Sequence, residues 1–492
     1  MKLLGWKLVT AIFLLCIATV IASPAQVFEN LFAFNAADGQ YPADSLVQGT
    51  DGNLYGTTTG GGPHGWGTVF RVTKEGVLTT IYDFCSQPNC ADGANPVASL
   101  TLGTDGNFYG TTYNGGMDGY CNFGSCGTVF KITSKGILTT LHRFDLIDGG
   151  NPVGNVIQAA DGNFYGTTFF SYSTVFRMTS AGALTTLYTF CSLPDCADGI
   201  GPMAGLIQAA DGNFYGTTAY GGAPHSGCYS ACGTVFRITP QGTLTTIHTF
   251  DGSDGGNPFA PLLEATDGDL YGTTEEGGNN RMGPGTVFSI TPKGRLTTIH
   301  YFCTQPGCAD GANPYAGVIE GTDGNLYGTA SAAGANQGEG CVDSGCGTVF
   351  SINPGGTLTT VHNFCGQGGY DLCTDGARPQ SGLLQATNGI FYGMTYLGGG
   401  NTDGTIFSLS MGLSPFVAFV QPAGKVGQTG GILGQGFTGT TSVSLNGVQA
   451  TFKVVSDTFI RATVPPGATT GYVTVVTPSG TLTSNVPFRV LQ

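Results

Sequence analysis

Along most of the chain, short runs of β-branched and aromatic residues are broken by Gly, Pro and Asp-Gly, and almost no apolar stripe of helical period is present. The first stretch reads as four strands: Ser45 to Thr50, Asn53 to Thr58, Thr68 to Thr73 and Val77 to Phe84. Asp51-Gly52, between the first two, is a tight hairpin signal.

The pattern repeats. The phrase DGN-Leu/Phe-YGTT begins at Asp51, Asp105, Asp161 and Asp211, then varies to DGDLYGTT at Asp267, DGNLYGTA at Asp323 and NGIFYGMT at Asn388. The spacings are 54, 56, 50, 56, 56 and 65 residues. Each phrase leads through a Gly-rich loop to a GTVF-type strand, a short turn such as TKEG, an LTT-type strand and a D-G-x-x-P loop. Four antiparallel strands at this period predict a propeller blade. Seven GTVF-type strands are followed by only six LTT-type strands, so the last blade, ending at Thr405 to Ser410, lacks its outer strand. Phe28 to Phe34 aligns onto the LTTLYTF phrase, with Asp38-Gly39-Gln40-Tyr41-Pro42 as its D-G-x-x-P loop. The fold expected is all-β: a seven-bladed β-propeller closed by an N-terminal strand, followed by an Ig-like β-sandwich. A linear solenoid does not account for the displaced strand.

Composition agrees. Of 492 residues 83 are Gly, only 10% are charged, and no Gly-X-Y period runs through the chain. With 31 Phe and 20 Tyr it is too apolar for a disordered chain. The net charge of -14 and the scattered basic residues argue against nucleic acid or an anionic membrane surface as partner. Lys2 and Lys7 precede an apolar stretch from Leu8 to Ala22, too short to span a bilayer, so residues 1–25 read as a secretory signal peptide cut after Ala22 or Ala25. Cys16 lacks the small preceding residue of a lipoprotein box. A secreted or cell-surface protein without membrane insertion is expected.

These repeats resemble the GloVer tandem-repeat family of secreted bacterial proteins, over about residues 28 to 410, and the propeller is placed at 26–411. Members carry varying C-terminal anchors and no assigned activity; no recognised sorting tail is read here. From Leu413 the repeat phrases stop, and strand-like runs follow at Gly430 to Leu433, Thr441 to Leu445, Ala450 to Val455, Phe459 to Val464, Tyr472 to Thr477 and Val486 to Leu491. Gly427, Gly434-Gln435-Gly436-Phe437, Val443 with Asn446-Gly447, Val455-Ser456-Asp457, Val464-Pro465, and Gly471 with Val473 and Val475 resemble an IPT/TIG domain, placed at 414–492. That resemblance implies a spacer or binding module.

Beyond Cys16, 14 cysteines fall into close pairs: Cys85/Cys90, Cys121/Cys126, Cys191/Cys196, Cys228/Cys232, Cys303/Cys308, Cys341/Cys346 and Cys365/Cys373. In an exported chain without His at ligand spacing they read as disulfides rather than zinc ligands. Blades two, four and six carry a pair in the entering loop and another inside the blade, so pairing between those loops stays open. All seven pairs fall on the face where long loops emerge, opposite the DGN and TKEG turns.

That face is the candidate ligand face, with His64, Trp66, Tyr120, Phe123, His225, Tyr229, Glu339 and Asp343, and with Tyr172, Glu275, Glu276, Arg281 and Asp403 beside them. Aromatic and acidic groups together suit a carbohydrate or an extracellular protein. The recurrent aspartates of D-G-x-x-P (Asp38, Asp92, Asp148, Asp198, Asp254, Asp310 and Asp375) read as Asx-turn residues, although Asp251-Gly252-Ser253-Asp254 has a local likeness to a calcium loop. His142, His248, His300 and His362 share an outer-strand slot with Tyr82, Tyr188 and Phe32, which asks for an amphipathic ring rather than a proton shuttle. No HExxH, GxSxG or phosphate loop is found, and no catalytic residue, metal or cofactor is expected. The function expected is non-enzymatic binding or structure; the alternative is a glycosidase or lyase with carboxylates on the long-loop face.

Overall fold

The computed structural model describes residues 26–42, 44–116, 126–170, 173–222, 232–278, 283–336, 346–366 and 373–491. Seven four-stranded antiparallel sheets form the blades, and no α-helix occurs among the described residues. In the first blade the strands are Val47–Gln48, Leu54–Thr58, Thr68–Val72 and Leu78–Asp83. The innermost strand is far shorter than the sequence suggests, because only two residues reach the Asp-Gly hairpin in register.

Face-to-face packing of blades buries the second strand completely. Leu54–Thr58 is buried at every position, which dictates its composition. A Cβ on Gly56 would lie 2.6 Å from Phe70 Cζ, so this position admits only Gly. Buried hydroxyls must find partners inside. Thr58 and Thr68 pair through their hydroxyls at 2.8 Å, as do Thr112 with Thr128, Thr218 with Thr234, Thr274 with Thr286 and Thr395 with Thr405. In the sixth blade Ala330 replaces this threonine, and the Thr348 hydroxyl is left buried without a hydrogen-bond partner.

A second threonine joins neighbouring blades. Thr57, Thr111, Thr167, Thr217, Thr273 and Thr329 donate to the carbonyls of Ala98, Gly154, Ala204, Ala260, Ala316 and Ser381 on the next blade. A third series runs nearer the hairpin turns. The side-chain oxygens of Gln158, Gln208, Glu264, Glu320 and Gln385 accept from backbone N–H groups of the preceding blade.

This third series continues from blade seven to blade one, where the Thr387 N–H donates to Gln48 Oε1 at 2.9 Å. The strand Val27–Ala33 pairs antiparallel with Thr405–Ser410, so the N-terminal segment is the outer strand of blade seven as expected. Phe34, Leu46 and Phe70 pack with Tyr392, Met394 and Ile406 in one buried cluster across this seam. Met394 stands where other blades place the donating threonine, so apolar packing replaces that hydrogen bond here.

The C-terminal module holds two four-stranded sheets, ordered Ala418–Phe419, Thr429–Leu433, Phe459–Thr463, Phe452–Ser456 and Val448–Gln449, Ser442–Leu445, Val473–Thr477, Gly480–Thr483. Val417, Ile432, Val443, Ile460 and Val475 fill the space between them. Four short strands, at 418–419, 423–425, 448–449 and 480–483, are not distinguished by the sequence pattern. The module docks on the hairpin-turn face: Thr458 Oγ1 donates to the Thr50 carbonyl (2.8 Å), Phe416 N to Thr387 O (3.0 Å) and Arg489 Nη2 to Gln208 O (3.3 Å). Leu433 and Phe459 pack against Leu102 and Phe108. Leu102 holds the position that is Gln or Glu in the other six blades, so the repeat departs from its pattern where the module lands.

Two outcomes follow. Phe34→Ala should cost about 3–5 kcal/mol in denaturant unfolding, as for a fully buried ring deleted from a core; a loss under about 1 kcal/mol would mean that the seam does not carry stability. Ala330→Thr should raise stability by about 0.5–1.5 kcal/mol by giving Thr348 its partner, read from the same titration.

Candidate functional site

With the turn face carrying the C-terminal module, the long-loop face is the one on which chemistry can be displayed. Its loops are framed by the D-G-x-x-P segments, whose aspartates are all structural but do not form simple Asx turns. Asp92 accepts from the Tyr82 hydroxyl (2.8 Å) and from the Ser86 N–H (3.1 Å), six residues upstream. Asp198 does the same with Tyr188 and Ser192. The outer-strand histidines reach the same acceptor: His142 bonds Asp148 and His248 bonds Asp254, both at 2.7 Å, while His300 to Asp310 and His362 to Asp375 are 3.1 Å. The ring slot and the aspartate are thus two halves of one contact, a link that sequence spacing did not suggest. In the calcium-like segment, Asp251 accepts from the N–H and hydroxyl of Ser253, and Asp254 holds His248 and the Asp251 N–H.

Disulfides join Cys85–Cys90, Cys191–Cys196, Cys303–Cys308 and Cys365–Cys373, each local to its loop. Cys126, Cys232 and Cys346 are disulfide-bonded as well; Cys121, Cys228 and Cys341 lie outside the described residues. Cys346, Cys365 and Cys373 form the one group of three metal-ligating side chains among the described residues, and all three sulfurs are committed to disulfides.

Of the eight predicted ligand-face residues, Tyr120, Phe123, His225, Tyr229, Glu339 and Asp343 lie outside the described residues, as do Tyr172 and Arg281. His64 is bonded to Asp83 at the end of the outer strand, on the rim of blade one rather than at the axis. Trp66 is 45% exposed, and its carbonyl receives the Asn95 N–H. Asp403 is buried and accepts from Gln40 Nε2 at 2.6 Å.

The structure brings together another set around the axial channel, which shares Glu275 with the residues singled out in the sequence. An axial cavity of about 210 Å³ is lined by Asp44, Asn155, Phe259, Tyr315 and Gln380 among others. Phe259 and Tyr315 meet edge to face at 5.3 Å. Burial, then the Glu275 carboxylate, the Tyr220 and Tyr396 phenols and Asp44, push the Tyr315 phenol up to about 12. Burial and the neighbouring Glu276 push Glu275 up to about 7, so near neutrality this carboxyl is available as a proton donor or as a neutral hydrogen-bonding group. Burial also raises Asp44, against hydrogen bonds from the Ser45 and Ser99 amides.

The fourth residue of each D-G-x-x-P segment has a left-handed backbone: Tyr41, Asn95, Asn151, Gly201, Asn257, Asn313 and Arg378. Asn suits this conformation, and here its amide is also used. Asn95, Asn151, Asn257 and Asn313 donate to the carbonyls of Thr59, Tyr113, Ala219 and Glu275 on the preceding blade. Tyr41 and Arg378 have no such amide and take a conformation that costs a bulky side chain about 1–2 kcal/mol. Tyr41 instead stacks on Tyr396, with ring centroids 5.1 Å apart and planes 25° apart. The signal was present in the sequence as two odd residues in a seven-fold column, but it needs the backbone angle to be read.

Residues 19–229 and 225–452 match the Gloeobacter/Verrucomicrobia repeat, and residues 415–490 match the IPT/TIG domain. No curated protein matches the sequence. Among solved structures, a fungal alcohol oxidase of the AA5 family in complex with copper aligns at a TM-score of 0.51 and 13% identity, covering 95% of this chain and 99% of that one. A gluconolactonase from Xanthomonas campestris aligns at a TM-score of 0.38 and 12% identity, covering 79% and 90%. The oxidase likeness is one of fold.

Titration of the Tyr/His–Asp contacts sets an acid limit. Burial holds His300 neutral in the fold against the pull of Asp310, whereas the unfolded histidine takes up a proton near pH 6.5. Stability should therefore decline as pH falls through about 6.5. Burial opposes the charge on Asp148 and Asp198, but hydrogen bonds from His142, Tyr188 and nearby amides prevail and hold both carboxyls low. Their contribution is present above about pH 4 and is lost below it. Thermal melting between pH 3 and 8 (an interval set around these values) should show both declines; in His300→Phe the upper one should shrink while the lower stays.

Proposed function

The chain belongs to the Gloeobacter/Verrucomicrobia repeat family, and from that premise we propose that it is an extracellular binding protein whose long-loop face takes up a carbohydrate. Family membership assigns no activity, so the reading stands on one observation. The C-terminal module occupies the turn face, while the opposite face carries the half-buried phenols Tyr41, Tyr220, Tyr315 and Tyr396; Tyr315 lines the axial cavity, with Glu275, Tyr220 and Tyr396 near enough to act on it. Half-buried rings with polar tips offer a flat apolar surface rimmed by hydrogen-bonding groups. A pyranose, with its C–H faces and equatorial hydroxyls, has the complementary chemistry. The local disulfides stiffen the surrounding loops and accord with the export signal read at the N-terminus.

A second reading, a carbohydrate-active enzyme, is favoured by Glu275 alone, since a carboxyl pushed up to about 7 beside a second carboxylate is suited to general acid catalysis. The two are separated by one assay. The secreted chain is screened against neutral and acidic oligosaccharides for both binding and product release. We expect binding without product, and Glu275→Gln should change affinity by less than about threefold, as for a group at the edge of the contact. Product release abolished by Glu275→Gln would replace the binding reading by the enzymatic one.

A further inference from the structure

Blade seven is bounded by two departures from the repeat: the loop that enters it from blade six carries Arg378, and the loop that leaves it for blade one carries Tyr41. Tyr41 and Arg378 stand in a left-handed backbone position that the other five blades give to Asn or Gly. Tyr396 extends the second strand of blade seven, Phe391–Thr395, and its N–H donates to the Arg378 carbonyl (3.0 Å) while its ring stacks on Tyr41. A strained backbone kept at two neighbouring blades, where it sacrifices an interblade amide contact, calls for a use of the side chains themselves.

The guanidinium shows what that use is. Arg378 is half-buried, and its side chain makes no hydrogen bond or ion pair with any described residue. The two aspartates of the flanking loops are already engaged, Asp375 by His362 and the Cys365 N–H, Asp403 by Gln40. The Arg378 charge nevertheless acts on Tyr396, opposing the upward push of burial and of Tyr41 on that phenol. The backbone bond from the Tyr396 N–H to the Arg378 carbonyl sets this side chain on the segment beside the stacked rings. A half-shielded guanidinium with no anion partner among the described residues is a fork for an external carboxylate. The stacked phenols beside it offer a flat apolar surface.

We propose that Tyr41, Tyr396 and Arg378 form a subsite for a uronic acid unit of an acidic glycan, the sugar face resting on the tyrosine pair and its carboxylate held by Arg378. This rests on the carbohydrate-binding reading above and narrows it to an acidic sugar. The repeat itself supplies variants that separate binding from folding. Tyr41→Asn and Arg378→Asn install the residue used at the same position in blades two, three, five and six, and should leave the melting temperature unchanged or raise it.

The test is calorimetric titration of the full secreted chain with oligogalacturonate and with an uncharged oligosaccharide of the same length. We expect the wild type to prefer the uronide. Arg378→Asn should weaken it by about tenfold or more and abolish the preference, and Tyr41→Asn should weaken it with the preference kept. If the uncharged sugar binds and neither variant changes it, the subsite is overturned while the binding face stands. If neither sugar binds, both readings fall. A lowered melting temperature in both Asn variants would assign Tyr41 and Arg378 to the scaffold and overturn the proposal.

Discussion

The structure depends on a single constraint: the second strand of each blade is buried on both faces, at every position in six blades and at all but Tyr271 in the fifth. A strand so placed cannot send its polar groups to water, and a bulky residue at its centre collides with the phenylalanine of the next strand. The phrase YGTT answers both demands. Gly admits the ring, the first Thr donates to the neighbouring blade, and the second pairs with a Thr of its own blade. Burial without orphaned polar atoms then needs a blade on each side, and an array in which every blade has two neighbours is a ring. The tyrosine of the phrase adds a further tie, since its hydroxyl donates back to the turn aspartate while the ring lies against the next blade, as Tyr55 does with Asp51 and Phe108.

Fold was legible because this constraint writes itself seven times. Seven blades, the displaced N-terminal strand and the second domain all follow from counting phrases, and the strand Val27–Ala33 pairs where the alignment placed it. Contacts joining phrases to one another were less legible. The His/Tyr slot and the D-G-x-x-P aspartate are each visible as a column, yet nothing in the spacing says that Tyr82 touches Asp92. The candidate site was least legible. Sequence reasoning favoured the long variable loops and singled out Glu275 there, but passed over Tyr41, Tyr315, Arg378 and Tyr396 on short regular segments. Those positions belong to the repeat frame, where variation is easily taken for noise.

Each departure from the frame has a local physical consequence. Ala330 leaves a hydroxyl without a partner. Leu102, apolar where other blades carry Gln or Glu, receives Leu433 and Phe459 of the C-terminal module. Met394 turns a polar junction into an apolar one at the seam. Tyr41 and Arg378 exchange an amide contact for a ring stack and a charge with no partner among the described residues. Of these, the first is a loss, the next two are absorbed by packing within the chain, and only the last leaves chemistry unspent.

That asymmetry is the reason to propose a subsite at blade seven. A repeat protein can tolerate strain at two positions in seven because the other five hold the ring, so a costly backbone conformation is best tolerated where closure is already secured by other means. Here the seam is secured by the N-terminal strand, by the Gln48–Thr387 contact and by the Phe34 cluster. Redundant closure and the Tyr41–Tyr396 stack thus occupy the same junction, with Arg378 one loop away where blade seven is entered from blade six.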